Sequence, residues 1–165
     1  MTELTQERLK ELLHYDAGTG IFTWIKTRGR VRIGRESGSI QPNGYRYIMV
    51  DGYLKLSHRL AWLYVTGVFP IDFIDHIDGN KLNNAYANLR TCTNSQNKMN
   101  CELQINNTSG FKGVTWCKSN KKWKAQAQIK GKNNNLGLFE FIEEARDAYI
   151  NFAKINHGKF YKEMT

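Results

Sequence analysis

Asp75 and His76 stand side by side, Asn88 follows twelve residues after the histidine, and Asn97 nine residues after that. A carboxylate beside an imidazole offers an oxygen ligand for a hard cation and a proton acceptor near neutral pH. The two carboxamides can ligate or orient without competing for the proton. All four fall within 23 residues, and together they suit metal-assisted hydrolysis of a phosphodiester. Taken singly, Asp78-Gly79-Asn80 and Asn83-Asn84 are ordinary turn formers. It is their combination with Asn88-Leu89-Arg90 and Asn97 that narrows the chemistry. A calcium loop starting at Asp75 is excluded, because glycine falls at its fifth position rather than its sixth and Tyr86 at its twelfth.

Such a set needs a scaffold. Leu89 to Cys92 reads as a short strand, and Thr93 with Gln96 three residues later forms a capping box that opens a helix over Asn94–Asn100, with Asn97 in its first turns. With Asp75-His76 on a preceding strand, the order becomes strand, long loop, strand, helix. Upstream, the spacing of Leu9, Leu12 and Leu13 after a Thr5 cap predicts a helix that stops before Asp16. Ile21–Ile25 reads as a strand, and Tyr45–Val50 with Tyr53–Leu56 as a hairpin about Asp51-Gly52. Ser57 is placed as the N-cap of a helix carrying Leu60, Ala61, Leu63 and Tyr64 and ended by Gly67. His58, in its first turn, is read as a packing residue.

The chain has 165 residues, 41% of them hydrophobic, which allows a core in one ordinary domain or two small ones. With 24 Lys+Arg against 15 Asp+Glu it carries a formal charge of +9, which favours a polyanionic partner bound by phosphate neutralisation. Arg28, Arg30 and Arg32 alternate through a glycine-containing loop suited to following a DNA backbone, a solvated basic face being the alternative. Cys92, Cys101 and Cys117 are odd in number and lack knuckle spacing, so neither a disulfide framework nor a structural zinc is expected. No basic-then-apolar leader and no run of roughly 20 apolar residues is present. The expected location is cytoplasmic.

Past Asn100 periodicity fades, and a boundary is placed there. From Lys122 to Lys130 the alternation is strict: Trp123, Ala125, Ala127 and Ile129 on one face; Lys122, Lys124, Gln126, Gln128 and Lys130 on the other. Phe111–Trp116 and Asn135–Phe139 look like its neighbours. Ala145, Ala148, Tyr149, Phe152 and Ala153 form a helical stripe ended by Gly158. Residues 110–139 contain seven Lys and no Asp or Glu. That basic face is plausible for DNA binding, Gln126 and Gln128 being able to pair bidentately with adenine, the alternative being lysines that only keep the sheet soluble.

Residues 45–100 resemble the HNH endonucleases of phages and mobile introns in an H-N-N variant. The resemblance implies a ββα-metal fold in which Asp75 and Asn97 hold a divalent cation and His76 is the general base. It also implies that Asn88 orients the imidazole through a hydrogen bond. Gly110-Phe111-Lys112-Gly113-Val114-Thr115-Trp116, Lys122-Trp123-Lys124-Ala125 and Leu136-Gly137-Leu138-Phe139 resemble an AP2/ERF DNA-binding domain over about residues 109–160. The resemblance implies a DNA face that includes Lys112, Lys124, Gln128 and Lys130, to which the chemistry of the strand adds Gln126; Thr115 and Asn135 depart from the family pattern, so plant-type specificity is not carried over.

The expectation is thus an α+β chain of three parts: an HNH nuclease domain with a β-rich extension over 1–100, a linker over 101–108, and a three-stranded antiparallel sheet packed on one helix over 109–165. Its expected function is a homing-type, DNA-nicking endonuclease using Mg²⁺, with Mn²⁺ as the alternative, and leaving 5′-phosphate and 3′-hydroxyl ends. A monomer acting on double-stranded DNA is expected, with a dimer the alternative. The rival reading is a non-catalytic DNA-binding regulator on an HNH scaffold.

Overall fold

The computed structural model describes residues 4–27, 29, 32–100, 103, 106–129 and 131–160, leaving aside the side chains of residues 98–100, 157 and 159. Arg28, Arg30 and Lys130 lie outside the described residues. The chain divides into two compact units, Met1–Cys92 and Thr93–Thr165.

In the first unit Thr5 caps α1 (Gln6–Leu12), its Oγ1 accepting from the Arg8 amide at 3.2 Å. The helix stops at Leu13 because the chain turns extended there and begins β1 (Leu13–Asp16), an element the leucine spacing concealed. Strand β2 (Ile21–Trp24) pairs antiparallel with it, from Leu13↔Trp24 to Asp16↔Ile21. Asp16 closes the turn, accepting from the amides of Gly18 and Thr19. Strands β3 (Ser39–Ile40), β4 (Arg46–Val50) and β5 (Tyr53–Leu56) form a sheet with β4 central. The β4–β5 hairpin turns on Asp51 (φ 47°) and Gly52 (φ 86°), both left-handed as a two-residue type I′ connection requires.

Strand β5 runs straight into α2 (Ser57–Thr66), which ends at left-handed Gly67. Contrary to the expected cap at Ser57, the capping position is Leu56, which offers no side-chain hydrogen bond. Ser57 is already helical, and its buried Oγ has no partner. The strand β6 (Phe73–His76) and β7 (Leu89–Cys92) complete the unit as an antiparallel ribbon. Leu9, Leu13, Phe22, Ile48, Val50, Leu60 and Leu63 are essentially sealed from solvent in one cluster that also takes in Ile74 and Leu89 of the ribbon. Each such side chain contributes about 1.5–3 kcal/mol of transfer free energy, so the ribbon is anchored to the core through alternate residues.

The second unit opens with α3 (Asn94–Asn100), where the capping box forms as its residues imply. The Thr93 amide donates to Gln96 Oε1 at 2.8 Å and the Gln96 amide to Thr93 Oγ1 at 3.3 Å. Strands β8 (Val114–Cys117), β9 (Lys122–Ile129) and β10 (Lys132–Phe139) form an antiparallel sheet with β9 central, and α4 (Ile142–His157) packs on it. Ala125 and Ala127 meet Ala145, Tyr149 and Ala153 of the helix in two small buried clusters. Gly113 (φ 73°) lies so close to the Tyr149 ring and the Gln126 carbonyl that a Cβ would stand 2.3–2.4 Å from them. Only glycine fits there.

Candidate active site

Cross-strand register makes Asp75 and Arg90 direct neighbours, and His76 and Leu89 the next pair. Arg90 Nε and Nη2 reach Asp75 Oδ2 at 2.8 and 2.7 Å, with both side chains largely buried. Because the pair is buried, removing the carboxylate would strand a guanidinium, a loss of about 3–5 kcal/mol. Asp75 therefore has a structural duty in addition to any ligand role.

Between the strands the chain makes a loop organised around Asp78 and Asn88. Asp78 Oδ1 accepts from the Asn80 amide at 2.8 Å and from Asn88 Nδ2 at 2.9 Å, while Oδ2 accepts from Asn83 Nδ2 at 2.7 Å. Burial works against the Asp78 carboxylate. The bonds from Asn83, Asn88 and Asn80 outweigh it and hold the carboxyl below its ordinary range. Asn88 also donates to the Asn83 carbonyl at 2.8 Å, and its Oδ1 accepts from the Asp78 amide at 3.1 Å.

This corrects one expected contact. Both amide hydrogens of Asn88 are spent inside the loop, so the residue fixes loop shape and does not hydrogen-bond the imidazole. The carboxamide that meets His76 is Asn84, whose Oδ1 lies 3.1 Å from His76 Nε2. Asn84 Nδ2 donates to the Leu82 carbonyl at 3.2 Å, which fixes the amide's orientation. An oxygen facing Nε2 can only accept, so the hydrogen-bond network assigns the proton to Nε2 and the lone pair to Nδ1 of the neutral ring. Burial lowers the His76 pKa below the ordinary imidazole value. The Asn84 bond, Asp78 and Asp75 pull the other way, with Lys81 adding to the lowering.

Asn84 is itself held from the N-terminal hairpin. Tyr15 Oη donates to the Asn84 carbonyl at 2.7 Å, a buried bond between residues 69 apart in sequence. The Tyr86 amide donates to the Ala17 carbonyl at 3.0 Å. Gly20, at φ 76°, passes so near the Asn84–Ala85 peptide that a Cβ would stand 2.2–2.3 Å from it. The first strands thus brace the loop that orients His76.

His58 is the second imidazole here. Its ring lies edge-on to that of His76 with centroids 5.0 Å apart, and the Tyr45 ring sits 5.4 Å from His58 and 6.1 Å from His76. Burial, then His76 and Arg59, push the His58 pKa down to about 3, so the ring is uncharged at neutral pH. Lys81 reaches back over Tyr45, 5.0 Å from its centroid, and donates to the Asn43 carbonyl at 3.1 Å. Sequence reasoning passed over His58, Asn84 and Tyr15. The one local signal was that His58 lies three residues before the buried Ala61 and so shares its helix face.

Of the remaining expected residues, Asn97 lies in α3 of the second unit, where its amide donates to the Thr93 carbonyl at 2.9 Å. Lys124, Gln126 and Gln128 alternate with the buried Ala125 and Ala127, so they stand on the sheet face turned away from α4. Gln126 pairs with Asn135 and Gln128 with Asn133 across β9–β10. Lys112 is half-buried and Arg32 exposed. Among the described residues no group of three or more His, Cys, Asp or Glu is placed to hold a metal ion. A hard cation asks less of a protein: one carboxylate and one amide oxygen, with waters and substrate oxygens completing the shell, suit Mg²⁺. Asp75 and Asn97 are donors of that kind. No helix among the described residues is long and apolar enough to cross a membrane.

Comparison with known proteins matches residues 55–99, which contain His58, Asp75, His76, Asn84, Asn88 and Asn97, to an HNH endonuclease family. The chain is 35% identical over 104 residues to protein 3.8 of Escherichia phage T7, covering 62% of this chain and 85% of that protein. It is 28% identical over 144 residues to an uncharacterized HNH endonuclease, L560, of Acanthamoeba polyphaga mimivirus, covering 87% of this chain and 74% of that one. Among solved structures, the HNH homing endonuclease I-HmuI, from a study of its DNA binding and cleavage, matches with 30% identity and a TM-score of 0.41. That match covers 54% of this chain and about half, 51%, of I-HmuI. The chain therefore shares a family with phage T7 protein 3.8 and carries an HNH endonuclease domain over residues 55–99.

Proposed function

We propose that the protein is a metal-dependent, homing-type DNA endonuclease that nicks one strand at preferred sites. The observation that carries the reading is His76: a buried imidazole whose Nε2 is bound by a fixed carboxamide oxygen, beside a buried carboxylate, within the stretch that matches the HNH family. His76 Nδ1 accepts a proton from the attacking water, and Asn84 steadies the imidazolium that results. In-line attack on phosphorus and departure of the 3′ oxygen leave 5′-phosphate and 3′-hydroxyl ends. Asp75 and Asn97 would hold a divalent cation, Mg²⁺ in preference to Mn²⁺, which when bound supplies charge neutralisation at the phosphate.

Double-stranded DNA is the proposed partner and a monomer the working unit. Residues 109–165 act as an AP2-like targeting domain, with Lys112, Lys124 and Lys130 setting affinity and Gln126 and Gln128 setting preference. Arg28, Arg30 and Arg32 form a second backbone contact. The test is Asp75→Asn, which keeps an acceptor for Arg90 where alanine would not. Half-maximal cleavage should need at least about tenfold more Mg²⁺ with DNA affinity in EDTA unchanged, a shift of one power of ten per 1.4 kcal/mol of lost ligation. An unchanged metal titration would remove Asp75 from the ligand set.

A further inference from the structure

The first turn of α2 is built unlike an ordinary helix start. Leu56 at the capping position gives no side-chain bond, no acidic residue occupies the first turn, and the buried Ser57 Oγ finds no partner. A helix of ten residues without a side-chain cap leaves its first N–H groups without that acceptor and carries the positive end of its dipole there. His58 is carried on this same turn. Only 5% of it is exposed, yet it makes no hydrogen bond to any described residue. The ring lies against those of His76 and Tyr45, with centroids 5.0 and 5.4 Å away. Burying an imidazole without a hydrogen bond costs stability, and among the described residues no polar partner offsets that cost.

We propose that His58, on the uncapped first turn of α2, is a further DNA-contacting residue of this site, donating a ring N–H to a non-bridging oxygen of the backbone phosphate on which His76 acts. The inference rests on the nuclease reading and deepens it. The two ring centroids are 5.0 Å apart, a separation that one phosphate group can bridge with hydrogen bonds of roughly 3 Å. A ring that stays uncharged at neutral pH serves as a donor without drawing the proton away from His76. The open helix end adds attraction for the same anion.

Two full-length variants separate this role from packing. His58→Phe keeps a ring against Tyr45 and His76 but has no donor, whereas His58→Asn keeps an N–H and loses the ring. Single-turnover cleavage of duplex DNA with Mg²⁺ should fall about 10- to 100-fold in His58→Phe, the loss of one hydrogen bond to a charged oxygen, and by distinctly less in His58→Asn. Phe equal to or faster than Asn would assign His58 to packing and overturn the proposal. The second measurement needs no variant and no cleavage: imidazole nitrogen resonances of the wild-type protein, in EDTA, titrated with inorganic phosphate. His58 signals should move saturably, and stationary signals would overturn the proposal. A wild type that fails to cut would count against the nuclease reading, while the phosphate titration still judges His58 separately.

Discussion

Replacing Asn84 by alanine removes the oxygen that faces His76 Nε2 at 3.1 Å and leaves the Asp75–Arg90 pair and the Asn88 network untouched. In the resting enzyme that contact is neutral. In the proposed mechanism His76 takes a proton from water and becomes charged, and the same bond strengthens. A hydrogen bond to a charged group is worth about 1.5–3 kcal/mol, which converts to a rate loss of roughly 10- to 150-fold. Because the gain is realised only as charge develops, the loss should fall on the single-turnover rate and spare DNA affinity. Asn84 also donates to the Leu82 carbonyl, so a stability cost of about 1–3 kcal/mol accompanies the change and must be read separately from a melting curve. Asn84→Asp, which retains an acceptor, should cut faster than Asn84→Ala. The tautomer argument would be refuted if folded Asn84→Ala cleaved at the wild-type rate, or if its binding fell in parallel with its cleavage.

Three other outcomes follow from the same geometry. Tyr15→Phe deletes a buried 2.7 Å bond to the Asn84 carbonyl and should lower stability by about 1–2 kcal/mol in denaturant unfolding while slowing cleavage severalfold; a stability loss with the rate unchanged would show that the hairpin does not brace the site. Lys124→Ala should weaken binding to all duplexes alike and reduce the slope of log affinity against log salt by about one, in fluorescence anisotropy at several salt concentrations; an unaltered slope would take Lys124 off the DNA. His58 has its folded pKa depressed to about 3, so its stabilising contribution is fully present above the unfolded value near 6.5 and is lost as pH falls toward the folded one. Unfolding free energy should therefore decline with acidification below about pH 6, His58 contributing up to 1.4 kcal/mol per unit, and His58→Phe should reduce that slope, leaving the part that His76 and the carboxylates supply; an identical slope in the variant would contradict it.

What the sequence disclosed and what it hid divide by range. The Asp51-Gly52 hairpin, the Trp123–Ile129 alternation and the Thr93–Gln96 box are local, each decided within a few residues, and each forms where its pattern lies. Leu13 satisfied the helical spacing of α1 equally well as the first residue of β1, since either conformation turns it to the same core, so the strand stayed concealed. Ser57 has the chemistry of a cap. Because β5 enters α2 without a turn, the position falls one residue earlier, on a leucine. Asp75 beside His76 was legible from composition and spacing. The choice between Asn84 and Asn88 as the imidazole's partner was not, because it depends on how twelve loop residues fold about Asp78. Tyr15 could not be found at all from local pattern, its acceptor being 69 residues away.

The most direct measurement is supercoiled plasmid incubated with wild-type protein or His76→Ala, in Mg²⁺ or in EDTA, with binding to the same DNA followed in parallel. Wild type should give open-circular product in Mg²⁺ alone, with His76→Ala slower by about 10²- to 10⁴-fold, the range for a lost general base, and still bound to DNA. Cleavage by His76→Ala at the wild-type rate, or cleavage undiminished in EDTA, would contradict the proposed mechanism.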